Sequence, residues 1–476
     1  MSDDLTLADL HLCFEGAVPA VIGTVAADGT PNVTYLSKVR LVDRERVALS
    51  NQFFSKTARN LAENPRACAM VIDPASYDEF RLDLVYERTE RRGPLFEQLR
   101  DDVEVVAALS GMQQVFRLRT ADIYRVRRIE RVPPPAERRG RAPVGPPTTD
   151  ITGQGRDPMP VLAELTTRIG RCPDLDTLVT ITIQGLAAVA GYEHCLLLLA
   201  DEQGRSLYTI ASHGYAAEGV GSEVPLGEGI VGLAATRCVP IRVGGVRQLS
   251  KYSRRVRDSY EDEGEIGPGR EIPVPGLAEA NSLLAVPAMA FGGLVGVLVV
   301  ESTRMVAFTE ADEALLSAVA SLVATAIEAD RAREALAGAD GRTDAAPSAG
   351  PSARTSDVAP EPVAAGTPTL VRFFAVDGST FLDGDYLIKG VAGRILWSLL
   401  GQHQRDGRVE FTNKEVRLDP SLELPEYRDN LESRLILLKR RLDEREAPVR
   451  IVKTGRGRFR LDVSATLELE AVAPTD

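Results

Sequence analysis

The chain has 476 residues, 44% of them hydrophobic and 26% charged, and a formal net charge of -12. That length exceeds what one hydrophobic core serves, so about three domains are expected, and the balance of apolar and charged residues excludes a chain disordered throughout. No run of 18 apolar residues occurs, the start MSDDLTLADLH lacks the basic and apolar regions of a secretory signal, and five scattered cysteines form no CxxC pair, so a cytoplasmic protein with no membrane partner and no metal site is expected.

The first predicted element is a short helix over residues 5–14. Alternating apolar positions then predict strands over 20–25 and 32–39, joined by an Asp28-Gly29 turn of the kind that closes hairpins. Further strands are predicted over 47–51, 67–72, 79–89 and 120–126, with a helix over 94–109, which together make an antiparallel barrel of about six strands. Between two of these strands lies SNQFFSKTARNLAENPRACAMVID, Ser50 to Asp73. Hydroxyls, amides and a lysine at the start of a helix suit a phosphate dianion. The same residues also suit a surface loop whose helix is capped by Ser55 or Thr57. His11 is the one histidine of this region, so no catalytic pair is assigned and the catalytic residues stay unknown.

The stretches AVIGTVAADGTPNVTYLSKV and VALSNQFFSKTARNLAENPRACAMV resemble the pyridoxamine 5'-phosphate oxidase-like, FMN-binding split-barrel family. The resemblance implies FMN as cofactor. It places Ser55, Lys56 and Thr57 at the phosphate, Ser50, Asn51 and Gln52 beside the ring, and Lys38 as a partner from the neighbouring strand. It also implies a homodimer with the flavin at the subunit interface. Oxidases of the family carry a further region that completes the substrate pocket, whereas here the strand ending near Arg128 runs into a Pro/Gly-rich linker over 133–157, which points away from pyridoxal phosphate synthesis.

Helical spacing resumes over 158–169 and 175–190, followed by strands over 194–200, 206–212, 282–289 and 293–301. VPLGEGIVGLAATRCVPIRV, NSLLAVPAMAFGGLVGVLVVES and FTEADEALLSAVASLVATAIEA resemble a GAF domain over 158–336, an α+β sensory module, which implies a small-molecule ligand in its pocket. His194 and His213 are candidate haem ligands or satisfied strand-end histidines, and Cys195 and Cys238 lack the context of a bilin attachment. The insert over 244–279 carries a basic patch at Arg254, Arg255 and Arg257, either a solvated loop or a lid over an anion. Thr309 and Asp312 predict a capping box for the closing helix, whose wide apolar stripe serves either a dimer mate or burial on two sides.

Residues 337–367 are rich in Ala, Gly, Ser and Pro and are expected to form a disordered linker. Beyond it, short strands over 370–375 and 386–389, helices over 391–403, 411–416 and 426–446, and a hairpin over 448–461 are predicted, with Thr412 capping the second helix. That order, over 368–466, resembles the winged-helix output domain of OmpR-type response regulators. From Arg428 to Arg460 there are eleven Lys/Arg against five Asp/Glu, a local basic excess suited to nucleic acid. The resemblance implies Arg428, Asn430, Arg434, Lys439 and Arg440 at the DNA groove and Lys453, Arg456 and Arg458 on the wing. A protein-docking module with solvated charges is the other reading of those residues, and Arg458-Phe459 stands where the family has Gly-Tyr.

The expected architecture is therefore multidomain: a split barrel over 5–132, a GAF domain, and an α+β winged helix. The expected function is a ligand- or redox-sensing regulator that acts on DNA, with a flavin-dependent oxidoreductase controlled by its GAF domain as the alternative.

Overall fold

The computed structural model describes residues 5–16, 18–52, 55–74, 76–110, 117–133, 157–201, 203–215, 220–248, 277, 279–340, 368–376, 378–422, 424, 431–455 and 457–472. Residues 134–156 and 341–367 of the expected linkers, the basic patch at Arg254, Arg255 and Arg257, and the site candidates Arg428, Asn430 and Arg456 lie outside them, while residues 337–340, expected in the second linker, continue a helix that ends at Asp340.

A 3-10 helix, Leu7–Phe14, precedes seven strands: β1 (Ala20–Val25), β2 (Pro31–Leu36), β3 (Val39–Leu41), β4 (Arg46–Asn51), β5 (Arg66–Ile72), β6 (Glu79–Glu90) and β7 (Thr120–Arg131). Helix α1 (Ser55–Glu63) joins β4 to β5, and α2 (Pro94–Ser110) joins β6 to β7. The strands form one antiparallel sheet in the order β2-β1-β5-β6-β7-β4-β3. Laid flat, seven strands would span about 29 Å, yet β2 and β3 stand at opposite edges and are joined by Ser37 and Lys38 alone. Three Cα steps reach at most about 11 Å, so the sheet has to curl until its edges meet. The expected barrel of six strands is thus a curled seven-stranded half-barrel. The predicted strand over 32–39 is broken in two because the backbone N–H and C=O of Lys38 both turn to Ser50.

Helices α3 (Pro158–Ile169) and α4 (Leu175–Gly185) follow, the latter ending in a π turn over Leu186–Ala190. The next sheet contains β8 (His194–Ala200), β9 (Ser206–His213), β10 (Glu223–Pro225), β11 (Ile241–Val243), β12 (Ser282–Ala290) and β13 (Gly293–Ser302), ordered β10-β9-β8-β13-β12-β11. Helix α5 (Gly229–Arg237) covers one face, and α3, α4 and α6 (Glu310–Asp340) cover the other. Leu284, Val286, Leu298 and Val300 point to the α6 side, and Leu283, Ala285, Val297 and Val299 to the α5 side. Covering both faces explains why β12 and β13 read as unbroken apolar runs rather than alternating ones. The α5 side also takes Val103, Val106 and Ala107 of α2, so the first sheet's helix completes the core of the second.

In the C-terminal unit β14 (Thr369–Phe374), β15 (Ser379–Leu382), β16 (Asp385–Ile388) and β20 (Leu467–Val472) form a four-stranded sheet in which β20 runs parallel to β14. Helix α7 (Gly390–Asp406), strand β17 (Glu410–Thr412), α8 (Asn413–Arg417) and α9 (Leu431–Glu444) lead to the hairpin β18 (Val449–Gly455) and β19 (Arg458–Val463). Strand β17 pairs with β19. Thr412 caps α8 as expected, its Oγ1 accepting from Glu415 N at 3.2 Å. The predicted helix over 411–416 gives its first residues to β17. Leu431, Leu435, Leu438 and Leu442 of α9 join one hydrophobic cluster with Leu175, Val179 and Ile183 of α4.

Candidate functional site

Strand β4 delivers the polar residues of the first domain to the start of α1. Ser50 is buried, and its Oγ accepts from Lys38 N at 3.1 Å. Lys38 in turn donates its Nζ to the Glu15 carbonyl at 2.8 Å, which ties the 3-10 helix to the sheet. Asn51 Nδ2 donates to Asp122 Oδ2 at 2.9 Å, and the buried Asp122 also accepts from Thr89 (2.7 Å) and Thr120 (3.0 Å). Thr57, at 2% exposure, accepts from Asn32 Nδ2 at 2.9 Å, while Asn60 Nδ2 donates to Thr24 at 3.1 Å. These contacts pin α1 to β1 and β2. Ser50, Thr57 and Lys38 therefore have structural partners within the sheet, and of the seven residues expected at FMN, Lys56 is the exposed cation.

The donor set still suits the phosphate end of FMN. Helix α1 begins at Ser55, its first-turn amides have no intrahelical acceptor, and Lys56 stands in that turn. Gln52 is 3% exposed; its Oε1 accepts from Ser37 Oγ at 3.1 Å, and its Nε2 has no partner among the described residues. A buried amide donor with no acceptor is costly unless a ligand supplies one.

On the α5 side of the second sheet, His194 and Glu301 are register partners on β8 and β13. Glu301 is buried, and its Oε2 accepts from Tyr215 Oη at 2.7 Å and from Leu277 N at 2.6 Å. Burial pushes the Glu301 carboxyl above its ordinary range, against the pull of those two donors. The His194 ring meets Tyr215 edge to face at 5.5 Å. His213 pairs with Cys195, which points to the α6 side, so His194 and His213 face opposite ways and do not share one ligand. Burial pushes the Cys195 thiol up to about 12, and a thiol held so far from ionising is a packing residue. Glu301 was legible as a lone carboxylate inside the apolar run GVLVVES, a charge that needs partners when buried. The capping box of α6 is present, with Thr309 Oγ1 donating to Asp312 Oδ2 at 2.7 Å and Asp312 N donating to Thr309 Oγ1 at 3.3 Å.

Arg434, Lys439 and Arg440 of α9 and Lys453 of β18 turn towards the second domain. Arg440 Nη2 donates to Asp176 Oδ1 at 2.9 Å and to Thr180 Oγ1 at 2.8 Å, and its Nη1 donates to the Ile210 carbonyl at 3.2 Å. Lys439 Nζ lies 3.2 Å from Asp176 Oδ2, and Lys453 Nζ 2.9 Å from Asp174 Oδ2. The Arg434 guanidinium sits over the Tyr208 ring at 3.7 Å from its centroid. Arg458 is exposed on the hairpin. The sequence gives no direct signal for the acceptors, although Asp174 and Asp176 mark a helix start in PDLDT. Ion pairs also join the first two domains: Arg237 pairs with Glu104 and Asp101, and Arg242 Nη1 donates to Glu15 at 2.8 Å, while within the second domain its Nε donates to Glu313 at 3.3 Å. Among the described residues no helix is long and apolar enough to cross a membrane.

No curated protein matches the chain. It is similar to the solved GAF domain of a phosphoenolpyruvate-protein phosphotransferase from Coxiella burnetii, at 22% identity over 37% of this chain and 96% of that one, with a TM-score of 0.30. It is similar to a free methionine-R-sulfoxide reductase from Neisseria meningitidis, at 20% identity over 37% and 91%, with a TM-score of 0.30. An FMN-binding protein from Syntrophomonas wolfei is 17% identical over 26% of this chain and 82% of that one, with a TM-score of 0.23. Residues 9–127 match the family described as pyridoxamine 5'-phosphate oxidase, and residues 172–328 match the GAF domain family. The chain thus carries an N-terminal pyridoxamine 5'-phosphate oxidase-like domain followed by a GAF domain.

Proposed function

We propose that this protein is a cytoplasmic, homodimeric sensor in which the first domain takes FMN, the GAF domain takes a small ligand, and the C-terminal unit is a winged helix that acts on DNA. The observation that carries this reading is the continuity between sensor and basic helix. Helices α4 and α9 share one hydrophobic cluster, and Arg440 bonds to both α4 and β9. A shift in the GAF sheet therefore reaches α9 without an intermediate segment.

The family match over residues 9–127, the start of α1 with Lys56, and the unpartnered Gln52 amide support a flavin. Bound FMN would supply a ring that accepts and returns electrons, which gives the domain a redox readout. Lys56 and the α1 amides would hold its phosphate, and Gln52 would donate to an acceptor on the ligand. The order α7, α8, α9 and hairpin, with β17 added to the hairpin sheet, supports the winged-helix reading. Glu301, Tyr215 and His194 supply the polar groups of a GAF ligand site on the α5 side.

The absorption spectrum of the purified protein, followed by FMN titration and by anisotropy of labelled duplex DNA over a range of salt, tests the three parts. A flavin band and salt-dependent DNA binding are expected. A colourless protein that takes up no FMN would remove the flavin, and no DNA binding at low salt by any variant would remove the output.

A further inference from the structure

Of the five named cations that the structure describes in the C-terminal unit, the four on α9 and β18 all have partners in the GAF domain, and Arg458 stands on β19. Arg434 is 5% exposed beneath its contact with Tyr208, and the Arg440 side chain is 20% exposed. Their acceptors form one patch: the two carboxylates of Asp174 and Asp176 at the start of α4, the Thr180 hydroxyl one turn on, and the Ile210 carbonyl with the Tyr208 ring on β9. Two carboxylates two residues apart, facing a row of Arg and Lys, offer the charges that a nucleic-acid backbone would offer to the same row.

We propose that this GAF edge is an internal competitor for nucleic acid. Arg434, Lys439, Arg440 and Lys453 serve either the GAF patch or DNA phosphates, so the duplex engages α9 only when the α4/β9 edge parts from it. The proposal rests on the DNA-binding reading of the C-terminal unit and adds to it that the bound state of α9 is the silent one. Its physical basis is an exchange of ion pairs. Each cation released to a phosphate displaces one condensed counterion, so an unmasked chain has a steeper dependence on salt than a masked one, by about 0.9 in log K per log salt for each cation. Apolar contact between the Leu face of α9 and α4 sets what the exchange has to overcome, and a ligand or redox change that loosens this edge lowers it.

The test uses the full chain and the double variant Asp174→Asn, Asp176→Asn. Asparagine keeps the N-cap of α4 while removing both charges. Hydrogen exchange of α9 amides is measured without DNA, and anisotropy of a mixed-sequence duplex of about 30 base pairs is measured between about 50 and 200 mM salt. The expected result is faster exchange in α9, DNA binding at least about tenfold tighter at low salt, and a steeper salt slope. The milder variant Thr180→Val, which removes one acceptor of Arg440, is expected to move the same readouts in the same direction by less. Equal DNA affinity and equal slope in the wild type and a folded variant whose α9 exchanges faster would overturn the masking while leaving DNA binding in place. Faster exchange with no DNA binding by either protein would overturn the DNA reading itself, and the masking with it.

Discussion

The guanidinium of Arg434 lies 3.7 Å above the centre of the Tyr208 ring, joining α9 to β9 across the boundary between the C-terminal unit and the GAF domain. At 5% exposure this cation is desolvated, where cation–π contacts reach about 2 kcal/mol. Arg434→Ala is expected to lower unfolding stability by about 2 kcal/mol in urea titrations followed by Trp397, the one tryptophan. Tyr208→Leu, which keeps the apolar volume but loses the ring, is expected to cost less. A loss under about 0.3 kcal/mol for Arg434→Ala would show that the stack adds nothing.

Acid is expected to loosen this boundary before it unfolds the GAF core. Burial pushes the Asp174 carboxyl up, but the Thr177 N–H and the Lys453 ammonium outweigh it and hold the carboxyl down at about 2. A depressed carboxylate contributes stability that is complete above its ordinary value of 3.8 and is lost as pH falls towards about 2. Asp176 is shifted the same way, against burial, by Arg440 and Lys439. Lys453 is raised above 10.5, so its share is present below that value and fades as pH rises through the shifted one. The stability gap between wild type and Asp174→Asn should therefore shrink from pH 4 to pH 2 in Trp397-monitored urea titrations. A gap that stays constant over that range would contradict the assignment.

In the first domain, the proposed FMN contact of Lys56 and the packing contact of Thr57 are expected to separate on substitution. Lys56→Ala is expected to weaken FMN binding by about tenfold or more, the scale of one charge-assisted hydrogen bond, with little change in melting temperature. Thr57→Val is expected to do the reverse, removing the 2.9 Å bond from Asn32 at a cost of about 1 kcal/mol while leaving FMN affinity near its starting value. Fluorescence titration and thermal melts distinguish the two, and an FMN affinity unmoved by Lys56→Ala would take this lysine out of the site.

Two glycines are expected to refuse even a methyl group. A Cβ at Gly296 on β13 would strike the Leu198 carbonyl of β8, and one at Gly393 on α7 would strike the Gly378 carbonyl. Neither carbonyl can move without disturbing its sheet or turn, so each Gly→Ala change should cost about 1–3 kcal/mol by overpacking. Alanine tolerated at both positions in thermal melts would show that the backbone there gives way.

Most elements were legible in the sequence because their cause is local. The period-2 runs of β1 and β5, the Thr412 cap and the Thr309–Asp312 box are set by neighbouring residues and stand where expected. Helix α5 was not, since GEGIVGLAATR is rich in small residues whose use appears only in contact: a side chain at Gly232 would meet the Pro225 carbonyl. Strand β20 was missed because its partner β14 lies far away in sequence. The basic face of α9 could be counted but not aimed, since lysines and arginines beside a leucine stripe look the same whether they meet solvent, phosphate or the carboxylates of Asp174 and Asp176. At the expected flavin site, residue types were readable, whereas the inward turn of Ser50 and Thr57 depends on Lys38 from the β2–β3 link and Asn32 from β2.

The parallel pairing of β20 with β14 sets the order in which the C-terminal unit can fold. Thr369 is matched with Leu467, so the outer edge of that sheet waits until the three helices and the hairpin between them have been made. Closing so long a loop has a high entropic cost before any contact offsets it, which predicts a slow kinetic phase. During synthesis the GAF domain emerges first and can fold first, so α9 condenses onto a surface that is already waiting for it.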